Sequence, residues 1–226
     1  MNYELDENVA VLAFDDGKAN VVGHAFIDAI NEGLDRAEAE AAAVVITGRE
    51  GMLSAGFDLE EFKKGKEATL TLVNRGFEML IRLYSHPQPV LVACTGHAVA
   101  AGAFILLAAD NRVGVDGSFK VTLPETAIGM NFPVVLRELV LARISNRHKT
   151  RTLVQSKVYD PVGAVDAGFL DEVVAVENLQ AHVMAMAKKL AQLPTKVYAQ
   201  NKLDLRAESL ERMRNNLAEM KAAGGV

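Results

Sequence analysis

The stretch Pro89–Asp110, PVLVACTGHAVAAGAFILLAAD, changes from strand to helix with almost no polar material at the junction. Pro89 to Cys94 has the β-branched and apolar density of a strand buried on both faces. Ala103 to Ala109 is apolar all round, the pattern of a helix sunk inside a protein. Between them, Gly96 and Gly102 bracket small residues that let backbone amides approach another group closely. A helix starting near Ala101 would turn its free N–H groups and the positive end of its dipole into a small-residue pocket, a place for a partial negative charge. Two readings stand side by side here: a tightly packed strand-to-helix connection, and a binding site.

The 226-residue chain is 50% hydrophobic and 23% charged, enough for one substantial core or a core with a small appendage. Its net charge of -5 gives no overall basic field, which argues against nucleic acid or an anionic membrane as the main partner. Cys94 is the single cysteine, so an intrachain disulfide is excluded, and in a buried strand it reads as packing rather than as a nucleophile. No segment reaches the roughly 18 apolar residues of a membrane span, and MNYELDENVAVLAF has no basic start followed by an apolar run. The expected location is the cytoplasm. His24, His86, His97, His148 and His182 show no metal-ligand spacing, and the glycines make neither G-x-G-x-x-G nor a phosphate loop. No metal is expected, and His97 reads as a hydrogen-bonded structural histidine.

Upstream, Tyr3–Leu5 and Val9–Phe14 flank the turn-forming Asp6-Glu7-Asn8 and predict a β-hairpin. Phe26, Ile27, Ile30 and Leu34 recur at helical spacing and predict an amphipathic helix from His24 to about Glu38. AVVIT at Ala43–Thr47 predicts a short buried strand. In MLSAGFDLEEF, Met52–Phe62, Ala55-Gly56 sits in a bend before an acid-rich helix start with Asp58 as its N-cap, and the bend offers a second set of pocket-lining amides. A helix from about Ala68 to Tyr84 carries Leu70, Val73, Phe77, Leu80 and Ile81 on one face.

Downstream, Arg112–Val115 and Phe119–Thr122 read as two short strands around the Asp116-Gly117 turn. Helices follow from Pro133 to Ala142 and from Ser145 to Val154, then a short one capped by Asp160-Pro161 and ended by Gly168. A strand at Glu172–Val176 and helices at Gln180–Leu193 and Thr195–Met220 complete an α/β chain whose repeating unit is strand, often a second strand, then helix.

Three pieces in this order resemble the crotonase superfamily, the enoyl-CoA hydratases and isomerases: LSAGFDLEEF at Leu53–Phe62, TGHAVAAGAFILLAAD at Thr95–Asp110, and LPETAIGM at Leu123–Met130. DAGFLDEVV at Asp166–Val174 is similar to that family's later helix-to-strand passage. The resemblance implies a crotonase-like spiral of ββα units over residues 1–190, carrying an acyl-CoA site, and a short C-terminal helical region over 191–226 of the kind that packs trimers. A homotrimer or homohexamer is expected, and the stripe of Leu203, Leu210, Met213, Leu217 and Met220 suits it.

The resemblance also implies a CoA thioester as the substrate and no cofactor beyond it. The backbone N–H groups of Phe57 and Ala101 would hold the enolate oxygen; the family more often has glycine at the second place, but only its N–H is used. Glu125, in the Pro-Glu pair, would move a proton at the carbon beside the thioester; without its neighbouring motifs it reads as a loop carboxylate or helix cap. Ala55, Gly56, Asp58, Leu59, Gly102, Phe104 and Pro124 would line the substrate. Lys18, Ala19 and Val21 resemble the segment that borders the CoA chain, with a solvated lysine as the alternative for Lys18, and Lys196 and Lys202 carry the same two readings. The departure is Phe104: the hydratases resembled here have a second glutamate there, and phenylalanine cannot activate water. The expected activity is therefore enoyl-CoA isomerisation. A 2-enoyl-CoA hydratase and a non-catalytic CoA-ester-binding assembly protein are the alternatives.

Overall fold

Val9–Ala13 (β2), Ala43–Thr47 (β3) and Val90–Cys94 (β5) are apolar runs, almost wholly buried, as strands of a sheet covered on both faces must be. The computed structural model describes residues 1–224, so the last two residues of the 191–226 region lie outside the described residues. It lays these strands in a six-stranded sheet of order β1-β2-β3-β5-β7-β9, where β1 is Asn2–Asp6, β7 is Asn111–Val115 and β9 is Glu172–Val174. β1 and β2 form the expected antiparallel hairpin, and the remaining neighbours are parallel.

A second sheet of three parallel strands joins β4 (Gly51–Ser54), β6 (Gly96–Val99) and β8 (Val121–Thr122). The sequence pattern predicts no strand at GMLS or GHAV, because glycine there reads as a bend. The structure gives the glycines another use. Gly51 and Gly96 are register partners, and a Cβ on Gly96 would lie 2.1 Å from the carbonyl carbon of Gly51.

Each turn of the chain thus runs from a large-sheet strand through a short small-sheet strand to a helix. β3 and β4 lead to α2 (Leu59–Lys63) and α3 (Lys66–Ser85); β5 and β6 lead to α4 (Ala101–Ala108); β7 and β8 lead to α5 (Val134–Arg143). This is the ββα spiral. Asp116-Gly117 does not close a hairpin as expected: β7 pairs with β5 and β9, while β8 pairs with β6 in the other sheet. The Ser145–Val154 segment is helical only at Lys149–Leu153 (α6), because the Ser145 N–H bonds the carbonyl of Ala167 at the end of α7 (Pro161–Ala167) instead of starting a helix. Asp160 caps α7 by accepting from the Gly163 N–H at 2.7 Å, as expected.

α8 (Leu179–Leu190) covers one face of the large sheet, where Val45, Leu91 and Val113 meet Val183 and Ala187. α1 (His24–Glu40), α3 and α4 cover the other face through Leu12, Ile46 and Val92. α9 (Thr195–Gly224) packs on α3 and α5 of the same chain and buries Leu210, Met213 and Leu217 there. The stripe behind the expectation of assembly is therefore largely used within the chain. Lys202 is no ligand lysine: it is buried and donates to the carbonyls of His86 at 2.7 Å and Gln88 at 2.9 Å, and to Asp110 Oδ2 at 2.6 Å. Arg206 bonds the other Asp110 oxygen at 2.7 Å and the Tyr84 carbonyl at 2.5 Å. These bonds tie α9 to both ends of the β5–β6–α4 unit. No described helix is long and apolar enough to cross a membrane.

Candidate active site

Where the small sheet ends, three segments converge: the bend after β4, the start of α4 and the turn after β8. They line a cavity of about 450 Å³, closed on its other sides by α2, α3 and α5.

The bend owes its shape to Gly56, whose φ of +101° suits glycine. A Cβ at Gly56 would sit 2.9 Å from the Ala100 methyl and 3.5 Å from the Ala101 nitrogen, so the bend lies directly against the head of α4. Val22 brackets the next residue, donating to the Gly56 carbonyl at 2.8 Å and accepting from the Asp58 N–H at 3.3 Å. In such a bridge the Phe57 N–H points away from Val22. The Phe57 ring rests on the bare backbone of Gly76 in α3.

At the head of α4 the chain is strained. Ala100 has φ +50° and ψ −121°, a conformation that L residues avoid; its N–H bonds the Thr122 carbonyl at 3.1 Å and its carbonyl accepts from Ala103 and Phe104. Ala101 and Gly102 are thereby the first residues of a helix with unpaired N–H groups. Among the described residues, neither the Phe57 N–H nor the Ala101 N–H has a hydrogen-bond acceptor in the protein. Gly102 does not reach the cavity. It packs on β4, where a Cβ would meet the Ser54 carbonyl oxygen at 2.3 Å.

The third segment carries Glu125, 5% exposed, whose Oε2 has no hydrogen-bond partner among the described residues. Burial pushes its carboxyl up to about 7, opposed by its own backbone amide. Phe104 also lines the cavity; it is 1% exposed, and its ring meets Phe132 edge-on at 6.4 Å. Asp58 and Glu60 are the other ionisable residues of the lining. Asp58 caps α2 through the Glu60 N–H at 3.0 Å, and Glu60 pairs with Lys63 at 2.6 Å at the surface. Among the described residues, Glu125 is thus the one buried carboxylate in the lining.

Of the other residues expected at the site, Val21, Ala55, Leu59 and Pro124 also line the cavity. Lys18 and Ala19 lie outside it. The Lys18 carbonyl accepts from Arg49 at 2.7 Å, and the Ala19 carbonyl accepts from the Ala55 N–H at 3.0 Å, so this segment braces the bend. His97 Nδ1 accepts from the Lys120 N–H at 3.0 Å, a structural role. The Cys94 thiol is buried and pushed up to about 12 by burial. Sequence reasoning misses Ile128 and Met130, although they lie in the same LPETAIGM stretch as Glu125, and it misses Asn131 on the lip and Leu136 on α5, which meet the site only through packing. Val73 and Phe77 had a signal, the apolar face of α3, but nothing in the pattern separates a core wall from a cavity wall.

The family model for enoyl-CoA hydratase/isomerase matches residues 4–222, and the chain belongs to that family. A solved enoyl-CoA hydratase/isomerase family protein from Pseudomonas syringae superposes with a TM-score of 0.93 at 40% identity, covering 96% of this chain and 94% of that one. A Mycobacterium tuberculosis protein, described as an enoyl-CoA isomerase in one solved structure and as a probable enoyl-CoA hydratase in another, gives 0.92 at 33% identity in the first, covering 98% of this chain and 97% of that one. A probable enoyl-CoA hydratase of Bacillus subtilis is 29% identical over 198 residues, 83% of this chain and 76% of that protein. The relatives' names thus divide between the two activities.

Proposed function

We propose that the protein isomerises 3-enoyl-CoA thioesters to 2-enoyl-CoA thioesters, with Glu125 as the only proton carrier. The observation that carries this reading is the pairing of a buried Glu125, whose Oε2 has no hydrogen-bond partner among the described residues, with Phe104 in the same cavity. Glu125 takes a proton from C2, and the C–H electron pair moves onto the thioester oxygen to give a dienolate. The N–H groups of Phe57 and Ala101 donate to that oxygen in a largely apolar cavity, where such bonds are stronger than in water. The proton returns from Glu125 to C4 as the double bond settles between C2 and C3. A carboxyl that titrates near 7 suits both halves of this transfer.

Hydration needs a second group to position and deprotonate water, and Phe104 leaves that side of the cavity apolar. A binding protein without turnover would have no use for a buried carboxylate with no cation beside it, which is costly to keep. Glu125→Gln tests the reading: turnover of a 3-enoyl-CoA should fall about 10² to 10⁴-fold while CoA-ester affinity, read by calorimetry, stays near wild type. A variant that keeps wild-type turnover would remove Glu125 from the mechanism.

A further inference from the structure

We infer that Ser156 is a positioning residue for Glu125, acting through the Ala127 N–H, with the Thr126 hydroxyl as its companion. The inference rests on the reading of Glu125 as the proton carrier.

Oε2 has no hydrogen-bond partner among the described residues, and the one hydrogen bond acting on the carboxyl comes from Glu125's own backbone amide, so the aim of the side chain follows the backbone turn that bears it. Within the turn, the Glu125 carbonyl accepts from the N–H groups of Ile128 at 3.2 Å and Met130 at 2.8 Å. Outside it, the segment Leu153–Tyr159 runs alongside as a splint. The Thr126 hydroxyl donates to the Leu153 carbonyl at 2.7 Å, and the Ala127 N–H donates to Ser156 Oγ at 3.1 Å. Before the turn, the Thr122 hydroxyl donates to the Lys157 carbonyl at 3.2 Å, and Val121 and Tyr159 exchange backbone bonds of 2.9 and 3.0 Å. The two residues that follow Glu125 are both tied to the splint.

Ser156 has φ +47°, in the left-handed region where glycine sits without strain and other L residues lose about 1–2 kcal/mol. Its backbone conformation would be better served by glycine. What serine adds is the hydroxyl that receives the Ala127 N–H. The charged groups nearby do not replace this tie: Asp58 and Glu60 line the cavity at the start of α2, Arg151 lies in α6 and Lys157 in the splint, and burial is what raises Glu125.

Ser156→Gly separates positioning from stability, because it relieves the strained φ while deleting the acceptor. Its thermal stability should equal or exceed wild type, its kcat for a 3-enoyl-CoA should fall about tenfold or more, and its KM should change little, since a shift on the order of 1 Å in a reacting group can cost up to about 10²-fold. In the ligand-free protein, the Glu125 carboxyl followed by carbon-13 NMR should titrate lower than in wild type, as a freed turn lets it reach water. Thr126→Val should move both readouts the same way. Wild-type titration of Glu125 in both variants would overturn the inference, as would a loss of kcat that merely tracks a loss of Tm. Since the titration is read without substrate, it decides the positioning role even if Glu125→Gln were to show that Glu125 does not carry the proton.

Discussion

Asp110 and Glu125 carry carboxylates turned away from solvent at opposite ends of α4: Asp110, its side chain 8% exposed, lies two residues past the last residue of the helix, and the buried Glu125 shares a cavity with the first. Their surroundings are opposites. Asp110 accepts from Lys202, Arg206 and the Val90 N–H. Burial pushes its carboxyl up, but the two cations outweigh burial and hold it below its ordinary value. Glu125 has the burial without the cations and rises to about 7. Depth does not decide which carboxylate stays charged; partners do. One end of α4 is locked by charge, and the other holds a carboxyl that titrates near neutrality.

The sharpest way to break this contrast is Asp110→Ala, which strands Lys202 and Arg206 without their anion. It should cost about 3–5 kcal/mol in urea unfolding. A loss under about 1 kcal/mol would mean that the cluster is not the lock described. Glu125→Gln should do the reverse. The folded-state value of about 7 lies above the ordinary 4.5, so the contribution of Glu125 to stability is present below pH 4.5 and lost as pH rises through 7. Glutamine does not titrate, so the variant should be more stable than wild type by up to about 3 kcal/mol at pH 8, with the gain vanishing below pH 4.5. Equal stability at pH 8 would show that the carboxylate has a partner after all. The smallest effect is at the strained head of α4. Ala100→Gly should gain about 1 kcal/mol, read as a rise of about 2–4 °C in Tm, and a fall would mean that the methyl packing on Gly56 outweighs the strain.

The halves of this contrast were not equally legible in the sequence. The large-sheet strands announce themselves because β-branched runs such as AVVIT suit a sheet covered on both faces. Two of the small sheet's three strands do not, since β4 and β6 are four residues long and hold glycine for backbone approach, the feature that makes them read as bends, while β8 falls inside the strand read at Phe119–Thr122. Glu125, Phe57, Ala101 and Phe104 could be picked out because ordered motifs carry them, and the structure brings all four to one cavity. The Asp110 lock could not. Lys202 lies 92 residues from Asp110, and only the fold reveals that its ammonium points inward rather than to a ligand. Ser156 was silent for a similar reason: its meaning lies in a left-handed φ and a bond to a residue 29 positions away.

The most direct test of the single-carboxylate account is to incubate the wild-type protein with 3-enoyl-CoA and 2-enoyl-CoA substrates in deuterated water and identify the products by mass and NMR. The account predicts that the 3-enoyl substrate becomes the 2-enoyl isomer and that a crotonyl-type 2-enoyl substrate is hydrated weakly or not at all. Efficient formation of 3-hydroxyacyl-CoA would contradict it, because a residue other than Glu125 would then have to supply the second acid or base that Phe104 cannot.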